Sequence, residues 1–171
     1  MKKNFIIFPL FLLLLSHSVV FAQDSQEKFS FLIENGSRMI RENEIEKVFN
    51  MIEELPPFRK SDFRIRVLEN FAYLKGYLVT KKKDYGKKWQ EDYKPLCFTG
   101  DKTATSILID LLRDNDPYMR AFTLRALGFL GDQTALEPIK NLANQDPNEK
   151  VRLRAREAFK RITGYDLPRS P

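Results

Sequence analysis

The side chains best suited to recognising another molecule form two strips in the C-terminal half of the chain. Both strips follow helical spacing: one combines aromatic rings with an arginine, and the other is mainly basic. They consist of Tyr118, Phe122, Arg125 and Phe129, and of Lys150, Arg154, Glu157 and Arg161. Arginine binds carboxylates through a planar fork of N–H donors, and aromatic rings supply apolar anchors. The pattern therefore predicts a binding surface for an acidic peptide. The alternative is that the phenylalanines pack between helices while the charges are solvated.

Residue types that serve in catalysis or metal binding are scarce. The only histidine, His17, lies in an N-terminal segment that we expect to be removed, and Cys97 is the only cysteine. Their scarcity excludes histidine acid–base chemistry, Ser-His-Asp triads and His-ligated metal sites from the mature chain. An intramolecular disulfide is excluded as well. We expect Cys97 to be a small buried apolar residue, with intermolecular pairing or a reactive thiol as alternatives.

Carboxylates, tyrosines and lysines are what remains for catalysis. Asp110 and Asp114 are four residues apart, a spacing that places both on one helix face. We expect that face to be exposed, so that solvation alone explains both aspartates. We therefore predict no enzyme activity, no metal and no cofactor; the alternative is an accessory factor or enzyme subunit with unidentified chemistry.

A second basic segment runs from Lys81 to Lys94, with six lysines and three acidic residues. Its aromatic residues Tyr85, Trp89 and Tyr93 are four apart and share one face if the segment is helical. With Lys87 and Lys88, they could form a surface for an anionic or glycan partner. The alternative, which we favour, is that the rings dock on the neighbouring repeat while the lysines are solvated.

The N-terminus has the organisation of a signal peptide. Two lysines precede an apolar run from Phe5 to Leu15, and Val20-Phe21-Ala22 suits signal peptidase, so residues 1–22 should be removed by cleavage before Gln23. The rival interpretation is an uncleaved membrane anchor. Cleavage would lower the formal charge from +6 to +4, since two lysines leave with the segment. It also predicts a periplasmic or secreted protein without stable membrane insertion, and argues against nucleic acid as the natural partner.

The pattern of residues 23–95 predicts a helical region. Apolar spacing predicts helices over residues 26–41, 45–55 and 67–78, with a possible break at Asn35-Gly36 in the first. Pro56-Pro57 should end the second helix, and Ser61 should cap the third, with Asp62 in its first turn. The third helix is apolar over a broad face and should be central. We predict that this region continues the helical stack as degenerate repeats.

Residues 96–171 contain the same pattern twice, followed by a short tail. Gly100-Asp101 and Gly131-Asp132 each open an apolar helical run, which leads through an Asp-Pro turn into a second helix. The second helices end at Gly131 and Gly164, where a left-handed residue is needed. The two openings lie 31 residues apart. Two helices in a repeat of that length are typical of an α-solenoid, whose units bury their apolar faces against one another.

Local signals at the turns support this organisation. Asp116 should cap the second helix of the first repeat, with Pro117 at its first position, and Asp146 with Glu149 should form a capping box in the next. The predicted core residues of the leading helices are Ala104, Ile107, Leu108, Leu111, Leu136, Ile139, Leu142 and Ala143. Those of the second helices are Met119, Thr123, Ala126, Leu127, Leu130, Val151, Ala155, Ala158, Phe159 and Ile162.

The segment from Asp116 to Asp132 resembles the HEAT-like repeats of the bilin-lyase type, with their pattern D-P-x-x-R…A-L-G-x-L-G-D. The second unit matches more loosely: it has two extra residues after Asp-Pro, and Lys160 stands where the first has Gly128. The resemblance implies antiparallel helix pairs in a right-handed superhelix and a scaffold or adaptor role. It also implies that Arg120 and Arg152 bond neighbouring turns. Bilin attachment and DNA-base excision, known among relatives, do not fit an exported protein.

These observations predict a noncatalytic scaffold or adaptor of the bacterial cell envelope that binds an acidic protein through its concave face. Second helices generally line that face in solenoids, which is why the two strips are the candidate site. A third alternative is self-assembly into homo-oligomers through exposed end helices.

Overall fold

The computed structural model describes residues 7–168, and the side chains of residue 20 and of residues 22–168. The side chains of most of the predicted signal segment, including His17, therefore lie outside the described residues. The helices are α1 (Ile7–Arg41), α2 (Ile45–Glu53), α3 (Pro57–Lys60), α4 (Phe63–Thr80), α5 (Lys83–Cys97), α6 (Thr105–Leu111), α7 (Pro117–Leu130), α8 (Leu136–Gln145) and α9 (Glu149–Thr163). Residues 7–168 contain no strand, so the predicted all-α class is confirmed. Among the described residues, no helix combines the length and the apolar character needed to cross a bilayer.

Helix α1 continues without interruption through Asn35-Gly36, so the break considered there is wrong. Gly36 serves packing instead. A Cβ atom at this position would lie 2.8 Å from Leu68 Cδ1, which is shorter than any normal contact. The missing side chain therefore lets α4 pack closely against α1.

Helix α4 is central, as its broad apolar face predicts, and packs against α1, α2 and α5. Its N-cap is Asp62, whose carboxylate accepts from the backbone N–H of Arg64. The expectation that Ser61 would fill this role is wrong, because Ser61 ends the short helix α3.

Helices α4 and α5 form an antiparallel pair joined by Lys81 and Lys82. Two glycines and two tyrosines interlock between them. A Cβ at Gly76 would overlap the ring of Tyr85, and one at Gly86 would lie 2.9 Å from the ring of Tyr77. Gly86 thus costs helix propensity but makes room for a ring of the neighbouring helix.

The two C-terminal pairs, α6–α7 and α8–α9, begin alike. Each leading helix starts with a 3₁₀ turn, over Lys102–Ala104 and over Gln133–Ala135. The aspartate before each turn, Asp101 or Asp132, accepts from the backbone N–H two residues later. Helix α7 packs against both α5 and α9, which forms a row of second helices. The α-solenoid predicted from the repeat is therefore confirmed.

The helix ends match the prediction in the first pair but not fully in the second. Asp116 caps α7 with Pro117 at the first position, as expected. In the second pair the predicted capping box is wrong, because Asn148 is the N-cap of α9 and accepts from the N–H groups of residues 150 and 151. Asp146 instead accepts from the guanidinium of Arg120, with Nε–Oδ2 and Nη2–Oδ1 distances of 2.7 and 2.9 Å.

One continuous apolar core runs from Phe29 of α1 to Phe159 of α9. The predicted core residues are fully buried except for Leu136, Leu142 and Ile162, which are half-buried against it. Helices α1, α2 and α4 share this core with the repeats. Whether they are degenerate repeats stays a prediction.

Candidate functional site

A groove of about 570 Å³ separates the N-terminal halves of α7 and α9. Since the first turns of both helices line the same groove, α7 and α9 run parallel. The lining residues are Pro117, Tyr118, Ala121, Phe122, Arg125, Asn148, Glu149, Lys150, Leu153, Arg154 and Glu157. Tyr118 and Leu153 in this lining are exposed, as are its arginines and its lysine, so the groove is accessible to a chain segment.

The structure brings most of the two predicted strips together in this groove. Tyr118, Phe122 and Arg125 lie on one wall, and Lys150 and Arg154 lie on the other. An adjoining cavity of about 190 Å³ is lined by Arg125, Arg154, Glu157, Ala158 and Arg161. The two cavities share three residues, so they form one continuous surface.

Phe129 lies beside this surface rather than in it. The guanidinium carbon of Arg161 is 4.1 Å from the centre of its ring, and that of Arg125 is 5.8 Å away. On another side the ring contacts Phe98, with centroids 4.6 Å apart. Phe129 therefore acts as a platform for the two arginines.

The apolar end of the groove has a fixed floor. The ring of Phe122 contacts Trp89 edge-on, with centroids 4.6 Å apart, and Tyr93, at 5.6 Å. The Tyr93 hydroxyl donates to the backbone carbonyl of Phe122 at 2.7 Å, and burial raises the pKa of that hydroxyl well above its usual value. Above this floor, Tyr118 and Leu153 are 56% and 54% exposed, so the groove offers apolar surface to a partner.

The basic end carries more positive than negative charge. Arg154 pairs with Glu157 at 2.6 Å. Within residues 7–168, neither Arg125 nor Arg161 has an acidic partner in an ion pair. These two guanidinium groups are therefore available to a carboxylate.

Sequence reasoning missed Leu153 of the groove and Phe98 beside it. Leu153 lies in a run of charged residues on α9, and its helical spacing of three residues from Lys150 was the only signal for it. Phe98 is 62% exposed and follows the end of α5. A connection residue has no periodic neighbours, so no pattern placed it against Phe129.

The aromatic residues of the second basic segment do not form an exposed surface. Trp89 and Tyr93 are buried in the core, which contradicts their assignment to a second binding surface. Tyr85 is half-buried and donates to Glu46 of α2 at 2.7 Å. Lys87 and Lys88 are exposed. The favoured alternative, in which the rings dock on neighbouring helices and the lysines are solvated, matches this arrangement.

The carboxylates considered for catalysis are structural, and their predicted exposure is wrong. Asp114 is buried and accepts from the ammonium of Lys75 at 2.7 and 2.9 Å. Asp110 is half-buried and accepts from the hydroxyl of Ser37 and the guanidinium of Arg41. The two pairs tie α1 and α4 to the first repeat.

Cys97 is buried and free, which confirms that it packs as an apolar residue. Burial raises the pKa of its thiol, which keeps the thiol protonated at neutral pH. Among the described residues, no group of three or more His, Cys, Asp or Glu side chains is arranged to hold a metal ion.

Arg120 and Arg152 both bond the turn that precedes their own helix, as the resemblance implied. Nη1 of Arg120 donates to the carbonyls of Asp114 and Asn115. Nη1 of Arg152 donates to the carbonyls of Asp146 and Pro147. The same contacts thus recur at matched positions of the two repeats.

Comparison with known proteins also identifies repeats in the C-terminal half of the chain. No curated protein and no solved structure is similar enough to the chain to count as a match. The family model described as HEAT repeats matches residues 94–160. The matched segment begins near the end of α5 and covers the C-terminal helix pairs as far as Lys160 of α9. Together with the all-helical stack, the match supports a HEAT-like repeat protein.

Proposed function

We propose that the protein is a noncatalytic scaffold or adaptor of the bacterial cell envelope, which holds an acidic protein partner in the groove between α7 and α9. HEAT repeats commonly serve as protein-interaction scaffolds, and folds of this kind are generally not enzymes. The signal-type sequence at the N-terminus supports an envelope or secreted location.

One observation carries the assignment: the groove combines exposed apolar surface with several basic side chains on parallel walls. The two adjoining cavities are lined by four basic residues and two acidic ones, so their lining has a net positive charge. They are Arg125, Lys150, Arg154 and Arg161, and Glu149 and Glu157. Guanidinium groups bind carboxylates through paired hydrogen bonds, and apolar contacts around them exclude water. An acidic protein segment is the partner that fits both properties.

The test is affinity capture from envelope extract with three forms of the protein, each produced with its own N-terminus and a C-terminal tag. They are the wild type, a groove variant with Arg125→Glu and Arg154→Glu, and a control with Lys87→Glu and Lys88→Glu. The control has the same charge change on exposed lysines of α5. Thermal unfolding establishes that all three are folded, and N-terminal sequencing tests cleavage before Gln23.

We expect one partner to be captured by the wild type and the control and lost by the groove variant. A photo-crosslinking residue in place of Leu153 should then join to that same partner. If only the Lys87→Glu/Lys88→Glu form lost the partner, the binding site would lie at these lysines and not in the groove. Equal capture by all three forms would contradict the groove, and the absence of any partner would contradict the scaffold.

A further inference from the structure

We infer that the groove recognises a short linear motif, in which an apolar side chain and an acidic side chain lie at a fixed spacing in an extended peptide. This inference rests on the proposed function and deepens it, because a general attraction to acidic surfaces would need neither the apolar residue nor the spacing.

The groove has two chemically different ends. Tyr118, Phe122 and Leu153 form the apolar end, beside the first turns of the helices. Glu149 and Lys150 also lie there, and their charges offset each other. The net positive charge is therefore concentrated at the other end, so a peptide with one apolar and one acidic side chain has a single favourable orientation.

One side chain at each end is held in place before any partner binds. Phe122 is fixed by its contacts with Trp89 and Tyr93. At the basic end, Arg161 stacks on the ring of Phe129, which orients its guanidinium. A preorganised site loses little side-chain entropy on binding, so it can select a defined peptide geometry.

The distance between the two ends sets the spacing of the motif. Phe122 and Arg125 are three residues apart on α7, and Leu153 and Arg161 are eight apart on α9. At the rise of an α-helix these separations are about 5 and 12 Å, which an extended peptide covers with roughly two to four residues. The acidic residue should therefore follow or precede the apolar one by that number of positions.

The structure provides an internal reporter for this test. Trp89 is the only tryptophan of the chain, and its ring contacts Phe122 at the floor of the apolar end. A side chain seated on Phe122 should change the tryptophan fluorescence. A peptide that the arginines hold without a side chain on Phe122 should change it less.

The experiment is a titration of the full chain with Gly/Ser-based peptides that contain one leucine and one aspartate and lack Trp and Tyr. The spacing of the two residues and their order are varied, and calorimetry measures affinity independently of fluorescence. We expect one order with a spacing of roughly two to four residues to bind best. Replacing its leucine with serine, or its aspartate with asparagine, should weaken binding by about tenfold or more.

Two variants separate the ends of the site, and one serves as a control. Arg125→Glu should remove the preference for aspartate over asparagine while the preference for leucine remains. Leu153→Ser should do the reverse, and Lys88→Glu should alter neither preference. Calorimetry that shows equal affinity for all spacings, or for peptides without leucine, would overturn the inference. If that happens while protein capture still depends on Arg125 and Arg154, the proposed function stands and only the linear motif fails.

Discussion

The two C-terminal helix pairs have the same plan but different surroundings. In α7, eight of 14 residues are buried, because α5 and α9 cover it from two sides. In α9, four of 15 residues are buried, and charged side chains such as Arg156 and Lys160 occupy the remaining faces. Helix α7 thus has the composition of an interior unit, and α9 has the polar outer face typical of a unit that closes a stack.

The same difference appears in the matched arginines. Arg120 bonds the turn before its own helix and also the carboxylate of Asp146 in the following pair. Arg152 makes only the turn contacts among those described. Asp114 is the counterpart of Asp146, and it is held by Lys75 of the preceding pair. The buried aspartate of each turn therefore binds a basic side chain of the preceding unit and joins the two units.

The largest expected effect comes from removing these arginines one at a time. Arg120→Ala removes the charged partner of Asp146 and leaves its buried carboxylate with only the backbone N–H of Asn148, which should lower the free energy of unfolding by about 3–5 kcal/mol. Arg152→Ala removes hydrogen bonds to two carbonyls near solvent and should cost about 1 kcal/mol. Urea unfolding of both variants measures the difference. Equal losses would contradict this prediction, because they would mean that the ion pair between the repeats adds nothing to the shared turn contacts.

A second pair of substitutions tests how closely the second helices approach each other. A Cβ at Gly128 would lie 3.0 Å from Ala158 Cα and 3.2 Å from Ala158 Cβ. Gly128→Ala should therefore destabilise by about 1–2 kcal/mol, since the strain exceeds the gain in helix propensity. Lys160→Ala, at the matched and exposed position, should stay within about 0.5 kcal/mol. Thermal unfolding compares them.

A double variant controls for other causes of the Gly128 effect. Ala158→Gly removes the methyl group that the new alanine would meet. In the background of that change, Gly128→Ala should cost less than it does alone, which a double-mutant cycle detects. Additive losses would mean that contact with the methyl group of Ala158 contributes nothing to the cost of Gly128→Ala.

The fold of the repeats could be predicted from sequence because its signals are local. Asp116 with Pro117 and the glycines at Gly131 and Gly164 mark helix ends within a few residues, and the structure places all of them as expected. The core positions followed from helical spacing in the same way. None of these inferences required knowledge of what lies far away along the chain.

The errors concern residues whose role depends on a distant partner. In sequence, Asp146-Pro147 matches Asp116-Pro117. In the structure, however, Asp146 pairs with Arg120, and Asn148 caps the helix instead. Asp114 was expected in solvent because its burial depends on Lys75, which lies 39 residues earlier. A pattern within one helix contains no information about such pairs.

The candidate site was predictable only in part for the same reason. Helical spacing grouped Tyr118, Phe122 and Arg125 on one face, and the structure brings that face beside Lys150 and Arg154. Spacing within each helix could not show how close the two helices approach.

The smallest expected effect tests a feature that the two helix pairs share, the aspartate before each leading helix. The hydrogen bond from the backbone N–H of Thr134 lowers the pKa of Asp132. A lowered pKa stabilises the fold above the unfolded-state value of about 3.9, and this contribution is lost as pH falls through the folded-state pKa. Asp132→Ala should therefore cost about 0.5–1 kcal/mol at neutral pH, and the difference from wild type should shrink below about pH 4.

Urea unfolding between neutral and acidic pH measures this dependence, and Asp132→Asn is the matched control. Asparagine keeps an oxygen that can accept from Thr134 but does not titrate, so the stability difference between Asp132→Asn and Asp132→Ala should not vary with pH. A loss in Asp132→Ala that is as large in acid as at neutral pH would show that the carboxylate charge contributes nothing. In that case turn geometry alone would stabilise the start of each leading helix. The two helix pairs would then differ only in what packs against α7 and α9.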